Sequence, residues 1–274
     1  MQVFFSSLFI LLFFAQSLVS GQSVHQSTFL KKRPVVSGAA ENISHAQFRS
    51  GISPLKFWAV SGAAALILNR MDGEIDDDYS LNRNEAGYQA LKPYGELGRL
   101  YDHQTTFLVL AGLMAANAAY GWRRHDTYRV ATTTLMIKSL AISSVATWLI
   151  KTTVGRHRPY TNDGPEKFDL FRFRTGAGQT SFPSGHTSSI FALMTVLSRR
   201  SHLLWISALA YGFAGSVAFQ RMLDRKHWAS DVFFGAALGY YVGRSVTGNV
   251  KSRKGDGGHG VQLKVSPLSL YIRF

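Results

Sequence analysis

The residues best suited to chemistry fall in three short clusters: K-T-T-V-G-R-H-R-P at Lys151–Pro159, P-S-G-H at Pro183–His186 and R-M-L-D-R-K-H-W-A-S-D at Arg221–Asp231. Among them are Lys151, several Arg, Ser184, His186 and His227, with the carboxylate of Asp231 four residues after His227. This inventory suits holding a phosphate, attacking its phosphorus and protonating the leaving group. The charges on a phosphate ester must be neutralised without blocking in-line attack, and a guanidinium does so by binding two oxygens at once. Lys151 and Arg158 stand seven residues apart. Pro159 forces the chain out of helix, so a helix end delivering Lys and a turn delivering Arg can surround one anion. Ser184 is a good N-cap for the apolar helix that follows, whose free N–H groups attract anions. Gly185 lets the backbone come close to a ligand. An unperturbed histidine has its pKa near the working range, so His186 can protonate a leaving oxygen. Asp231 follows His227 at the spacing that shares a helix face. It can fix one imidazole nitrogen and leave the other free to attack.

Each cluster alone has a bland reading. Lys151 can be a snorkelling residue at a membrane boundary, P-S-G-H a plain helix-capping turn, and His227 with Asp231 a surface pair. Lys226 and Trp228 read as boundary residues without chemistry. The ordered occurrence of all three clusters argues against coincidence.

The elements that must position these residues are apolar segments near 55–68, 105–122, 130–150, 186–198, 203–219 and 231–246. None alternates with period two, so they read as buried helices. The chain has 274 residues, 30 Lys plus Arg against 16 Asp plus Glu, and a net charge of +14. Its basic residues lie in short runs between apolar segments, which suits a membrane protein better than a nucleic-acid binder. There is no Cys, so disulfides and thiolate metal sites are excluded. Arg123-Arg124-His125, Arg199-Arg200 and Lys251–Lys254 would share the cytoplasmic side. The loops that carry the clusters would face outward, with the acidic stretch Asp72–Asp78. Lys138, inside the third apolar segment, is expected to face the bundle interior unless it reaches toward a polar surface. Gly235, Gly239 and Gly243 let helices approach closely.

Residues 1–20 read as a signal peptide or an N-terminal anchor, and 21–50 as a polar linker. Residues 51–249 form a helical domain. A basic, Gly-rich tail over 250–274 ends in an alternating, strand-like pattern. A cleaved signal peptide combined with a spanning 55–68 segment gives the wrong parity, and the sequence leaves open which of the two gives way.

K-x6-R-P, P-S-G-H and R-x5-H-x3-D, as they stand in this chain, resemble the three-part signature of the type 2 phosphatidic-acid phosphatase and vanadium haloperoxidase superfamily, over about residues 100–246. The resemblance implies an all-α, membrane-embedded bundle of about six helices. It implies His227 as a nucleophile that forms a phosphohistidine, Asp231 as its orienting carboxylate and His186 as general acid. Lys151, Arg158, Ser184, Gly185 and Arg221 would hold the phosphate, with no metal or other cofactor. Gln220 departs from the family pattern, which usually has Ser there; an amide still donates hydrogen bonds. The expected function is a phosphatase acting on a phosphorylated membrane lipid, whether phosphatidic acid, phosphatidylglycerol phosphate, undecaprenyl diphosphate or lipid A. The expected location is the cytoplasmic membrane, multi-pass, with the site facing the exterior and no nucleic-acid partner. The alternatives are an exported soluble acid phosphatase, a vanadate-dependent haloperoxidase and a non-enzymatic scaffold.

Overall fold

The computed structural model describes residues 53–248, apart from 79–82, 85, 103, 172, 174–175 and 202 and the side chains of 104–107. The signal or anchor, the linker and the strand-like tail lie outside the described residues. Seven α-helices occur among the described residues: α1 (Pro54–Asp76), α2 (Ala86–Gly98), α3 (Gln104–Arg123), α4 (Thr127–Val154), α5 (Gly185–Ser201), α6 (Leu204–Leu223) and α7 (Ala229–Gly248). The described residues form no strand beyond one isolated bridge between Arg156 and Phe168. The all-helical expectation holds, and the six apolar segments correspond to α1 and α3–α7.

Local chemistry sets the helix ends. Ser53 caps α1 by accepting from the Lys56 amide, with Pro54 in the first turn, where its missing N–H costs nothing. Asp126 caps α4 by accepting from the amides of Tyr128 and Arg129. At its other end α4 stops at Gly155, in the left-handed region at φ 60°. A Cβ there would collide with the Asp169 carbonyl, so glycine is required to turn the chain towards Arg158.

Helix α5 is the axis of the bundle. Ile190, Leu193, Met194, Val196 and Leu197 are buried against Ile206, Ala210, Phe213, Ala214 and Val217 of α6, Met136 of α4, and Leu110 and Met114 of α3. Helix α7 lies against α5 at backbone distance. A Cβ on Gly235, Gly239 or Gly243 would strike the carbonyl oxygens of Ser184, Ser188 and Ala192 respectively. This is the close approach that the four-residue spacing predicts. Helix α1 packs on α7, with Phe57 stacked on Tyr241 and Trp58 against Phe234 and Tyr241.

Two expectations change. Lys138 is exposed on α4 rather than inside the bundle. The first helix runs eight residues past its apolar stretch, and Asp72 and Asp76 in its last turns are buried. Helix α4 is long and apolar enough to cross a membrane and is the one such helix among the described residues. Its outer face exposes Ile137, Ile142, Val145, Trp148 and Leu149.

Candidate active site

All three clusters meet at one end of the bundle. Lys151 lies in the last turn of α4, Arg158 on the loop after it, Ser184 and Gly185 at the start of α5, and Arg221 at the end of α6. His227 lies on the turn after α6, and Asp231 in the first turn of α7. Backbone bonds lock these pieces together. The Ser184 amide donates to the Asp231 carbonyl at 3.0 Å, the Ser181 amide to the Arg156 carbonyl at 2.9 Å, and the Arg158 amide to the Gly178 carbonyl at 2.9 Å. The His227 amide donates to the Arg221 carbonyl at 3.2 Å.

Three cations converge there. Lys151 Nζ donates to the Thr180 and Ser181 carbonyls at 2.5 and 3.3 Å, and its stem passes beside Gly185. The Nε atoms of Arg158 and Arg221 are buried without a hydrogen-bond partner. Buried guanidinium donors of this kind are costly, and an anion is the group that satisfies them best.

The two histidines stand in different surroundings. His227 is 2% exposed. Burial pushes its imidazole down to about 3, the Asp231 carboxylate opposes this, and the Lys151 and Arg158 cations reinforce it. The imidazole is therefore neutral over the ordinary pH range, the form with a lone pair to attack. Its Nδ1 lies 3.8 Å from Asp231 Oδ2, outside hydrogen-bond reach, and 3.5 Å from Ser181 Oγ. Ser181 in turn donates a short hydrogen bond to Asp231 Oδ2. The sequence reading placed Asp231 directly on His227, whereas the structure also puts a serine against both. His186 is on the open side, with Nε2 3.2 Å from Asp102 Oδ1 and its ring against the edge of Tyr101. Arg221 Nη1 donates to the same Asp102 oxygen at 2.5 Å. Contact with His186, together with the Arg221 charge, holds the Asp102 carboxyl well below its usual range.

Sequence reasoning missed a further layer behind His227. Arg156, from the first cluster, is 1% exposed. Its Nη1 donates to Asp231 Oδ1 at 2.7 Å and to Ser230 Oγ at 2.6 Å. Its Nη2 donates to Asp72 Oδ2 at 2.8 Å and to the Pro165 carbonyl at 2.7 Å, and Nε reaches the same carbonyl at 3.1 Å. Asp72 also accepts from the Ser230 amide at 3.0 Å and the Ser230 hydroxyl at 2.5 Å. One turn further on, Asp76 receives Arg225 through bonds of 2.8–3.2 Å, and Arg225 also holds the Pro159 carbonyl at 2.9 Å. Breaking a buried pair of this kind costs about 3–5 kcal/mol. Trp228 is buried rather than at a boundary. Its amide donates to Asp231 Oδ2 at 2.9 Å, its indole N–H to the His157 carbonyl at 2.8 Å, and its ring lies beside Arg156. Gln220 is buried, with Nε2 on Asp224 and Oε1 3.4 Å from Arg221 Nη1.

An end of a helical bundle that gathers three cations, a buried imidazole and a second, open imidazole is chemically suited to binding a phosphate. Residues 132–254, which contain all three clusters, match the family model described as PAP2 superfamily. The chain is 40% identical over 80 residues to the lipid A 1-phosphatase of Porphyromonas gingivalis, covering 28% of this chain and 18% of that one. It is 33% identical over 156 residues to lipid phosphate phosphatase 2 of Arabidopsis thaliana, covering 47% of this chain and 54% of that one. The chain thus spans well under two thirds of either relative. The fold resembles the transmembrane PAP2 type phosphatidylglycerolphosphate phosphatase of Bacillus subtilis, with TM-score 0.50, 19% identity and coverage of 72% of this chain and 98% of that one.

Proposed function

We propose that the protein is a membrane lipid phosphatase. The observation that carries this reading is the convergence of Lys151, Arg158 and Arg221 on the end of the bundle that also holds His186 and His227. In the proposed reaction Nε2 of His227 attacks phosphorus, the bond from phosphorus to the lipid oxygen breaks, and His186 gives that oxygen its proton. Water then attacks the phosphohistidine, His186 takes the water proton, the P–N bond breaks and inorganic phosphate leaves. Lys151, Arg158, Arg221 and the α5 N-terminus at Ser184-Gly185 hold the phosphate through both steps. Asp231 stabilises the positive charge that His227 acquires.

A lipid substrate is supported by what the two curated relatives act on, by the apolar outer face of α4 and by exposed apolar side chains on α1, α3 and α6 such as Leu66, Leu108 and Leu204. Location in the cytoplasmic membrane with the site on the exterior is supported by the basic pairs Arg123-Arg124 and Arg199-Arg200 at the other end of α3 and α5. A soluble, exported phosphatase is the second reading. It is favoured by the single span-length apolar helix among the described residues. Carbonate extraction separates the two.

The test is phosphate release from short-chain phosphatidic acid and a panel of phosphorylated lipids by the purified full chain. Turnover that disappears in His227→Ala, with the helical content intact, supports the reading. Activity retained in that variant overturns it.

A further inference from the structure

Helix α1 lies outside the stretch that matches the family, yet its last turns are built into the site. Arg156 is a single cation held between two carboxylates, Asp231 at 2.7 Å and Asp72 at 2.8 Å. All three side chains are at most 1% exposed. Facing Asp231 alone, Arg156 would cancel its charge and leave nothing for the imidazole beside it. Burial raises the Asp72 carboxyl while its bonds to Ser230 and Arg156 oppose this; with Asp72 ionised the trio keeps one net negative charge, and Asp231 is the member next to His227.

Asp72 also fixes the position of that charge. It accepts from the amide and the hydroxyl of Ser230, the residue before Asp231, and so pins the first turn of α7. A carboxylate there also meets the positive end of the α7 dipole. At its own helix Asp72 sits near the C-terminus, where a negative charge is disfavoured. A buried acid in that place indicates an outside partner, and Arg156 is that partner.

We propose that Asp72 is a positioning residue for the reaction. By taking up the charge of Arg156 and holding Ser230, it leaves Asp231 able to stabilise the cation that forms when His227 bonds to phosphorus. The inference rests on the reading of His227 as nucleophile. It makes the first helix part of the catalytic unit rather than an accessory to it.

The experiment uses the full chain, in membranes or detergent, and measures kcat and KM for short-chain phosphatidic acid. Asp72→Asn should lower kcat roughly 10-fold or more and leave KM within about twofold, because the phosphate-holding cations are untouched. Asp72→Glu, which keeps the charge, should retain more kcat than Asp72→Asn. The double variant Asp72→Asn/Arg156→Gln should exceed Asp72→Asn, since Asp231 then faces no cation. A scaffold-only role predicts the opposite order, with the double variant the worst. Wild-type kcat in Asp72→Asn, or a double variant below both singles, overturns the proposal. If Asp72→Asn does not fold, the double variant carries the test, and a folded double without measurable turnover counts against the proposal. His227→Ala is assayed in parallel. Activity in that variant sinks the nucleophile reading itself, whereas an inactive His227→Ala beside a normal Asp72→Asn removes only the present inference.

Discussion

The two walls of the pocket are built in opposite ways. The wall behind His227 is buried and densely hydrogen-bonded, through Arg156, Asp72, Ser181, Ser230 and Asp231. The wall around His186 is open, with side-chain exposures of 41% for His186 and 36% for its partner Asp102. A nucleophile needs a fixed direction and a free lone pair, which burial and a held carboxylate supply. A group that gives and regains a proton in each cycle needs contact with water, which the open wall supplies. In the proposed mechanism, then, one residue type placed twice in one site takes its role from desolvation and neighbours.

After loss of the proposed nucleophile, the largest effect expected from breaking this asymmetry is on the proposed proton donor. His186→Ala should slow phosphate release by about 10²–10⁴-fold, most for poorly acidic leaving alcohols and least for an activated aryl phosphate. Equal slowing across leaving groups of widely different acidity would assign His186 to binding instead. Next comes Arg221, which bridges the two walls. Arg221→Lys should cost roughly 10–100-fold in kcat/KM, because a point charge does not replace a planar fork; a KM and a vanadate affinity like the wild type would count against it. Asp102→Asn is smaller and opposite in sign for binding. Its carboxylate occupies both Arg221 Nη1 and His186 Nε2, so its neutralisation should tighten vanadate inhibition by about 3–10-fold, or about 1 kcal/mol. Weaker inhibition would show that Asp102 supports the anion site. The mildest test needs no substrate. His227 is neutral in the fold down to about 3 but takes a proton near 6.5 when unfolded. The unfolded state therefore binds more protons between those values, and stability falls as pH drops through that window. Melting temperatures measured from pH 7 to 4 should fall less steeply for His227→Asn than for the parent, and parallel slopes would mean that His227 is not the group responsible.

Much of this pocket was legible in the sequence because its residues lie close together along the chain or at helix ends. The break at Pro159, the start of α5 after Ser184 and the His227–Asp231 spacing each follow from local rules. The rest depends on long-range pairing. Arg156 meets Asp72 across 84 residues, and Arg221 meets Asp102 across 119, and no periodicity links such partners. One signal was available: Asp72 and Asp76 sit one turn apart at the end of an apolar helix, where acidic groups oppose the dipole, and two buried ones there call for Arg156 and Arg225. Helix α2 was missed because Pro93 and Gly95 interrupt its sequence, although packing against α6 overrides that weak propensity. Ser181 was passed over because a lone serine before a proline-containing turn carries no pattern.

The glycine stripe has one more consequence. Helices α5 and α7 approach so closely at the three glycines that the seam beside Ser184 and Asp231 leaves little room to rearrange. That half of the pocket behaves as an anvil, fixed in shape. In the proposed reaction, any give that admits substrates of different bulk has to come from the opposite lip, where the ring of Tyr101 lies against His186 and also lines an apolar groove with Leu110 and Met114 of α3 and Ile137 and Leu140 of α4.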